Sequence, residues 1–251
     1  MKIAVGQSKG GVGKTTTAVN LAAGLAIAGY RVLLVDLDTQ ASAAAALGIE
    51  TETGLAEVIL EKVPIEQVLV EARPNLDYLG GGHRLAAVKS DIGRRNMAPE
   101  QVLARVIASI EKRYHFVILD MAPSWDVLSV NALFVADKIL MPISMEMLTL
   151  RGVREFVNRV QEVAEYRPLE IQWVVPTFVD GRVKKTSEIL DQVVAAYGTR
   201  VTDPIRYNVR LSEAPGWGKT IYEYDPASAG ATDYAQLVLR VVADGYATTN
   251  T

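Results

Sequence analysis

Cysteine is absent from the 251 residues, and histidine occurs only twice, at 83 and 115. The first absence excludes a disulfide scaffold, a cysteine nucleophile, a thiolate zinc site and a cysteine-held iron–sulfur cluster. The second leaves too few imidazoles for a multi-histidine metal centre, and His83 and His115 read as structural. No uninterrupted apolar run reaches about 18 residues, the length a membrane-spanning helix needs. The amino terminus, Met-Lys-Ile-Ala-Val-Gly, enters a strand pattern at once and lacks the parts of a signal peptide. Residues 244–251 are small and polar, with no bulky apolar face for a membrane surface. A cytoplasmic protein without stable membrane binding is the expectation. Excess basic charge is missing too: 26 Lys and Arg stand against 29 Asp and Glu, a net −3. Nucleic-acid binding therefore needs a local patch.

What is present is apolar residue, 49% of the chain. At this length roughly 70–75% of the unfolded surface can be buried, so a core needs no staples. Short apolar runs at Ile3–Val5, Val32–Val35, Leu76–Leu79, Phe116–Leu119, Ile139–Pro142 and Ile171–Val175 read as strands. Helical patterns lie between them, over 14–28 and near 54–61, 83–95, 99–113, 126–135, 146–166, 184–197 and 227–243. Continuous apolar strands alternating with helices predict an α/β protein, a mostly parallel sheet with helices on both faces. No repeat, low-complexity tract or linker appears, so residues 1–251 are expected to form one domain. Gly80-Gly81-Gly82 reads as a flexible loop at a strand's end.

Gly6 to Thr16 reads Gly-Gln-Ser-Lys-Gly-Gly-Val-Gly-Lys-Thr-Thr, between the first strand and the first helix. A loop that wraps a polyphosphate must present backbone N–H groups at close range, and side chains obstruct that approach. Gly10, Gly11 and Gly13, with Val12 among them, keep the loop bare and allow positive φ. The helix start at Lys14, Thr15 and Thr16 adds its partial positive charge. Lys14 can reach the terminal phosphates, and the Thr15 hydroxyl can ligate Mg²⁺. Glycines, lysine, threonines and strand–loop–helix context coincide, which marks a P-loop that binds a nucleotide's phosphates. Phe116-Val-Ile-Leu-Asp120 is an apolar strand with a terminal carboxylate, placed to hold Mg²⁺ through water. Asp36 and Asp38 follow the second strand; by spacing alone they serve a ligand or simply a turn.

Lys9-Gly-Gly-Val-Gly-Lys-Thr-Thr16 resembles the deviant Walker A box of the ParA/MinD family of P-loop ATPases. In that family the first lysine, here Lys9, reaches across an ATP-bridged homodimer to the other subunit's nucleotide; otherwise Lys9 is a solvated loop lysine. Asp36-Leu-Asp38-Thr-Gln40 resembles the family's Asp-x-Asp-Pro-Gln switch, with Thr39 in place of proline. The resemblance implies that Asp38 orients the attacking water and that Asp36 helps organise the magnesium site. A second switch is implied after Asp120, with Ala122 where the family has proline. Asn131-Ala-Leu, Ala136-Asp137 to Pro142, Val209-Arg-Leu-Ser-Glu-Ala-Pro215, Tyr224-Asp225-Pro226 and Gly230-Ala231 are similar to the chromosomal ParA (Soj) branch. Asn208 then falls where the family contacts adenine, although Arg206-Tyr207-Asn208 departs from its Pro-Arg-Asn. Starting at the first strand, the chain is not expected to carry a helix-turn-helix or to repress an operator.

Residues 182–210 hold six basic groups against three acidic ones, a net +3 that leaves −6 elsewhere. Arg182 and Arg210 align with arginines that bind non-specific double-stranded DNA in Soj-like proteins, and Lys184 and Lys185 add charge by proximity. The implied function is chromosome or plasmid segregation at the nucleoid with a ParB-type partner. A ParA-like ATPase positioning a protein cargo, a MinD-like membrane regulator and a metabolic P-loop enzyme remain alternatives. The nitrogenase iron protein shares the loop but needs cysteines. Arg84, Lys89, Arg94 and Arg95 match no motif and read as a solvated face.

Overall fold

The structure is a computed structural model that describes residues 1–145 and 150–247. Its strands are β1 (Lys2–Val5), β2 (Val32–Asp36), β3 (Leu69–Arg73), β4 (Leu76–Leu79), β5 (Phe116–Asp120), β6 (Lys138–Ser144) and β7 (Ile171–Thr177). They form one sheet in the order β3-β4-β2-β5-β1-β6-β7. All neighbours are parallel except β3 and β4. The helices are α1 (Lys14–Ile27), α2 (Ser42–Leu47), α3 (Leu85–Gly93), α4 (Val102–Ala108), α5 (Val127–Val135), α6 (Leu150–Ala164), α7 (Lys184–Tyr197), α8 (Val209–Glu213), α9 (Ile221–Tyr224) and α10 (Ala229–Ala247).

Strand period sorts the apolar runs onto two cores. Leu33, Val35, Val117, Leu119, Ile139 and Met141 join one buried cluster. Their neighbours Val32, Leu34, Phe116, Ile118 and Leu140 join the other. A strand buried on both faces has no polar alternation, which is why it reads as a continuous apolar run. Each fully buried Leu or Ile contributes about 1.5–3 kcal/mol. α1 and α10 cover one face; α3 to α7 cover the other.

Several elements depart from the pattern reading. An antiparallel edge strand, β3, precedes β4 through a two-residue turn at Pro74 and Asn75, the latter at φ 65°. Its mixed sequence, Leu-Val-Glu-Ala-Arg, hides it, because an edge strand needs only one apolar face. The helix expected near 54–61 widens into a π turn over Glu57–Glu61. The stretch 99–113 breaks into a 3-10 turn, α4 and a second 3-10 turn. Short α2, α8 and α9 carry too few residues to show a period. Of the helix expected over 146–166, residues 146–149 lie outside the described residues. Gly80–Gly82 is a packing site rather than a loose loop. A Cβ on Gly81 would lie 2.7 Å from the Asp38 carbonyl, and Gly82 N–H donates to that same carbonyl at 2.9 Å. No described helix is long and apolar enough to cross a membrane.

Candidate active site

β1 ends mid-sheet, and the chain leaves it through Gly6 into the glycine loop. Gly6 has no room for a side chain, since a Cβ would lie 2.5 Å from Met121 Sδ. Gly11 and Gly13 have φ of 73° and 85°, the left-handed region that costs an L-residue about 1–2 kcal/mol. One local and one distant group brace the loop. The Gln7 side-chain oxygen accepts from Lys9 N–H, and Thr177 Oγ1 at the end of β7 donates to the Val12 carbonyl at 3.0 Å. Gly13 caps α1 without a side-chain bond, so the first-turn N–H groups, including those of Lys14, Thr15 and Thr16, are left for an anion. A Cβ on Gly10 or Gly11 would meet nothing within 4 Å. No neighbouring atom of the chain crowds either position, so the space they leave open faces outward, although the positive φ of Gly11 favours glycine in its own right.

Lys14 is buried, and its Nζ donates to the Lys9 carbonyl at 2.7 Å. Burial lowers its pKa, while the nearby Asp120 and Asp38 oppose the shift. Asp36 and Asp120 are register partners on β2 and β5, so their backbones lie about 4.8 Å apart. Both are buried, and burial is the chief cause that raises the pKa of each. Their surroundings differ sharply. Asp36 Oδ1 accepts from Asp38 N–H at 2.9 Å; its Oδ2 accepts from Ala43 N–H at 3.3 Å and from Tyr78 Oη at 3.1 Å. Asp120 completes no hydrogen bond on either oxygen, although the Thr15 hydroxyl and Lys14 stand close enough to favour its charged form. A buried orphan carboxylate is costly and calls for a cation. Asp36 is spent on shaping the turn that presents Asp38. Asp38 is half-buried, and its Oδ1 accepts from Gln40 N–H at 3.0 Å. β2 ends at Asp36, so Asp38 lies in the turn beyond the strand.

These residues fit Mg²⁺ and ATP. Among the described residues no group of three or more His, Cys, Asp or Glu could hold a metal by itself. Mg²⁺ characteristically takes one or two protein ligands with water and substrate phosphates, which Thr15 and Asp120 can supply. Beside Gly13 lies a cavity of about 280 Å³ lined by Thr16, Phe178, Arg206, Asn208 and Tyr234 among others. Phe178 sits at φ 54°, strain of the kind found around ligand sites. Asn208 caps α8, its Oδ1 accepting from Arg210 N–H at 2.9 Å.

The basic strip is assembled by pairing of the loop after β7 with the loop before α8, since Tyr207 N–H donates to the Val179 carbonyl at 3.0 Å. Its charge is not the +3 of the linear count. Arg182 is held by Asp180 at 2.7 Å, Arg206 by Asp233 at 2.7 Å, and Arg210 by Glu213 at 2.8 Å and Asp225 at 3.4 Å. Arg200 meets Glu170 and Lys184 meets Glu188 more loosely. Five of these carboxylates come from outside residues 182–210, where a linear window cannot see them. Lys185 alone of the six cations has no carboxylate partner among the described residues. The second cluster is partly neutralised: Arg84 pairs with Glu57 and Glu61, Lys89 with Asp126, Arg95 with Asp91.

Sequence reading missed Gln7, Tyr78, Thr177 and Phe178. Gln7 stood inside the glycine motif and Thr177 at a strand's carboxyl end, both legible signals. Tyr78 carried none, because its role depends on β4 lying beside β2.

Residues 1–172 match the sequence model of a family described as an AAA domain. The sporulation initiation inhibitor protein Soj of Bacillus subtilis is 35% identical over 250 residues, covering 97% of this chain and 98% of its own. The chromosome-partitioning ATPase Soj of Thermus thermophilus is 38% identical over 245 residues, covering 96% and 95%. Among solved structures, cobyrinic acid a,c-diamide synthase of Mycobacterium smegmatis with bound ADP and magnesium superposes with a TM-score of 0.84 at 29% identity, covering 97% and 96%. A glycine loop braced for phosphate, an orphan carboxylate beside a buried lysine, and kinship along nearly the whole chain converge: the protein belongs to the ParA/Soj family of P-loop ATPases and uses ATP and Mg²⁺.

Proposed function

We propose that the chain acts as one P-loop domain whose ATP-bound dimer holds DNA non-specifically and is discharged by a ParB-type partner, moving a chromosome or plasmid over the nucleoid. The observation that carries this reading is the extent of the kinship. A general AAA domain accounts for residues 1–172, whereas the partitioning relatives match across the carboxyl-terminal segment as well.

In this reading the loop N–H groups of residues 10–16 cradle the phosphates. Lys14 exchanges its bond to the Lys9 carbonyl for the terminal phosphates. Thr15 and Asp120, with Asp36 behind them, would hold Mg²⁺, which would supply charge neutralisation at the phosphates. Asp38 orients the water that attacks the γ-phosphorus as the bond to the β-phosphate oxygen breaks, giving ADP and phosphate. Lys9 of one subunit reaches the other subunit's phosphates, as an arginine finger does. The amide of Asn208 meets adenine in the cavity beside Gly13. Arg182, Lys184, Lys185 and Arg210 contact DNA phosphates, and dimerisation doubles their number, steepening the salt dependence.

DNA retention compared without nucleotide, with ADP and with ATP tests the reading. Retention confined to ATP is expected; retention that ignores nucleotide overturns it. The Mycobacterium smegmatis synthase neighbour favours a second reading, an ATP-dependent synthase acting on a small carboxylic acid. ATP turnover that responds to such an acid and not to DNA would select it.

A further inference from the structure

One member of the second basic cluster does not sit on a solvated face. Lys89, on α3, meets Asp126 at 2.7 Å, and both side chains are only 22% exposed. Arg84 in the same cluster is 43% exposed. The pair stands between two segments on which the phosphate site depends. One presents Asp38; the other follows Asp120.

α3 leads to the first. Gly82 N–H donates to the Asp38 carbonyl at 2.9 Å, and the N–H of Leu85, which opens α3, donates to the Gly82 carbonyl at 2.9 Å. Arg84 ties the same end to the buried Glu57 and to Glu61. Leu85, Val88 and Ile92 are buried, so the helix is seated along its length. Lys89 lies one turn beyond Leu85.

Asp126 leads to the second. Its Oδ1 caps α5, accepting from Leu128 N–H at 3.0 Å and Ser129 N–H at 3.1 Å. Its Oδ2 accepts from Ser124 Oγ at 2.8 Å, and Ser129 Oγ donates to the Ser124 carbonyl at 2.6 Å. These bonds close the loop that runs from Asp120 into α5. A capping carboxylate needs only backbone donors, so the cap stands without Lys89. What the lysine adds is a charge-assisted bond from α3 to that loop.

We infer that Lys89 is a positioning residue for ATP hydrolysis: its ion pair with Asp126 fixes the turn that presents Asp38 relative to the loop that follows Asp120. The inference rests on the role given to Asp38 above. In-line attack needs the water and the phosphate held in one relation, and a misplacement of about 1 Å costs on the order of 100-fold. Lys89 touches neither reacting group. It acts through α3 and Gly82 on one side and through Asp126 on the other.

Steady-state ATP hydrolysis by the full chain tests this in Lys89→Met, Asp126→Asn and the double variant. Asparagine caps a helix as well as aspartate does, so Asp126→Asn removes the charge and keeps the cap. Each single variant is expected to lose about fivefold or more in kcat, with KM for ATP within about twofold of the parent. The double variant should be no slower than the slower single one, as for two residues that act together. Lys89→Arg, which keeps charge and reach, should recover about half the lost turnover or more. Arg95→Gln breaks the Arg95–Asp91 pair on the same helix and should leave turnover at the parent level. Unchanged kcat in Lys89→Met overturns the inference, as do losses that multiply in the double variant. An equal loss in Arg95→Gln overturns it too, by assigning the effect to the stability of α3. Asp38→Asn is assayed alongside. Parent-level turnover there removes the role of Asp38 and this inference with it; lost turnover there beside an unchanged Lys89→Met removes this inference alone.

Discussion

The phosphate site and the basic strip are both charged, yet the fold treats them in opposite ways. At the carboxyl edge of β5 it buries Asp120 and leaves both oxygens without a partner. Along residues 182–210 it surrounds exposed arginines with carboxylates drawn from elsewhere in the chain. The first arrangement is costly until a cation arrives, so the cost is recovered only in the nucleotide complex. The second is nearly neutral at rest, because carboxylates stand beside its arginines; exposed ion pairs of this kind are worth little, so in the proposed DNA-binding reading they would give way to phosphate at small expense.

The largest expected effect lies at the phosphate site. Lys14→Ala and Asp120→Asn should each lower ATP hydrolysis by about 100-fold or more, since charge stabilisation dominates phosphoryl transfer. Asp120→Asn should at the same time stabilise the nucleotide-free protein by on the order of 1–2 kcal/mol, because it removes a buried carboxyl whose ionisation the fold opposes. Thermal melts with and without Mg-ATP check both halves, and a destabilised Asp120→Asn would break the contrast.

Next comes Gly81→Ala. Its Cβ would press on the Asp38 carbonyl and the Asp36 carboxylate, so a loss of about 1–3 kcal/mol is expected, with hydrolysis reduced beyond what the lost stability explains. Denaturant melts beside turnover assays measure the two separately.

The pH dependence of stability is a smaller effect. The raised Asp36 and Asp120 carboxyls keep protons in the fold that the unfolded chain releases near its ordinary carboxylate value. The folded state thus binds more protons above that value. These groups contribute stability at low pH and lose it as pH rises through their folded pKa. Without nucleotide, Asp120→Asn should flatten the decline that sets in above the ordinary carboxylate range; an unchanged slope would place the protons elsewhere.

The smallest effect belongs to the strip. Asp180→Asn and Asp225→Asn uncover Arg182 and Arg210 and should strengthen ATP-dependent DNA retention by about two- to fivefold. Arg210→Ala should weaken it and lower the salt slope by about 1. Titrations at several salt concentrations read both, and weaker retention by the Asp variants would show that the carboxylates position the arginines rather than mask them.

Legibility in the sequence followed the locality of the physics. The strands 3–5, 32–35 and 116–119 were plain because burial on both faces removes polar alternation. β3 was not, because Glu71 and Arg73 belong to an edge with one solvated face. Gly11 and Gly13 were legible as positive-φ positions within a contiguous motif. Gly81 was misread as slack, because its neighbour across the gap is the Asp38 carbonyl, 43 positions earlier in the chain.

The sequence by itself determined the alternating architecture, the glycine loop with Lys9 and Lys14, and the carboxylates at the ends of β2 and β5, since each depends on residues within one strand or turn. Only the tertiary structure decided which carboxylate is spent and which is orphaned, because Tyr78 reaches Asp36 from the neighbouring strand and Ala43 from the first turn of α2, while no such hydrogen bond is completed on Asp120. It alone decided that the +3 segment is nearly neutral, because electrostatic partners are set by distance in space and not by distance along the chain. The absence of cysteine excluded thiol chemistry at the outset; what replaced it, a buried carboxylate awaiting a cation, required the fold.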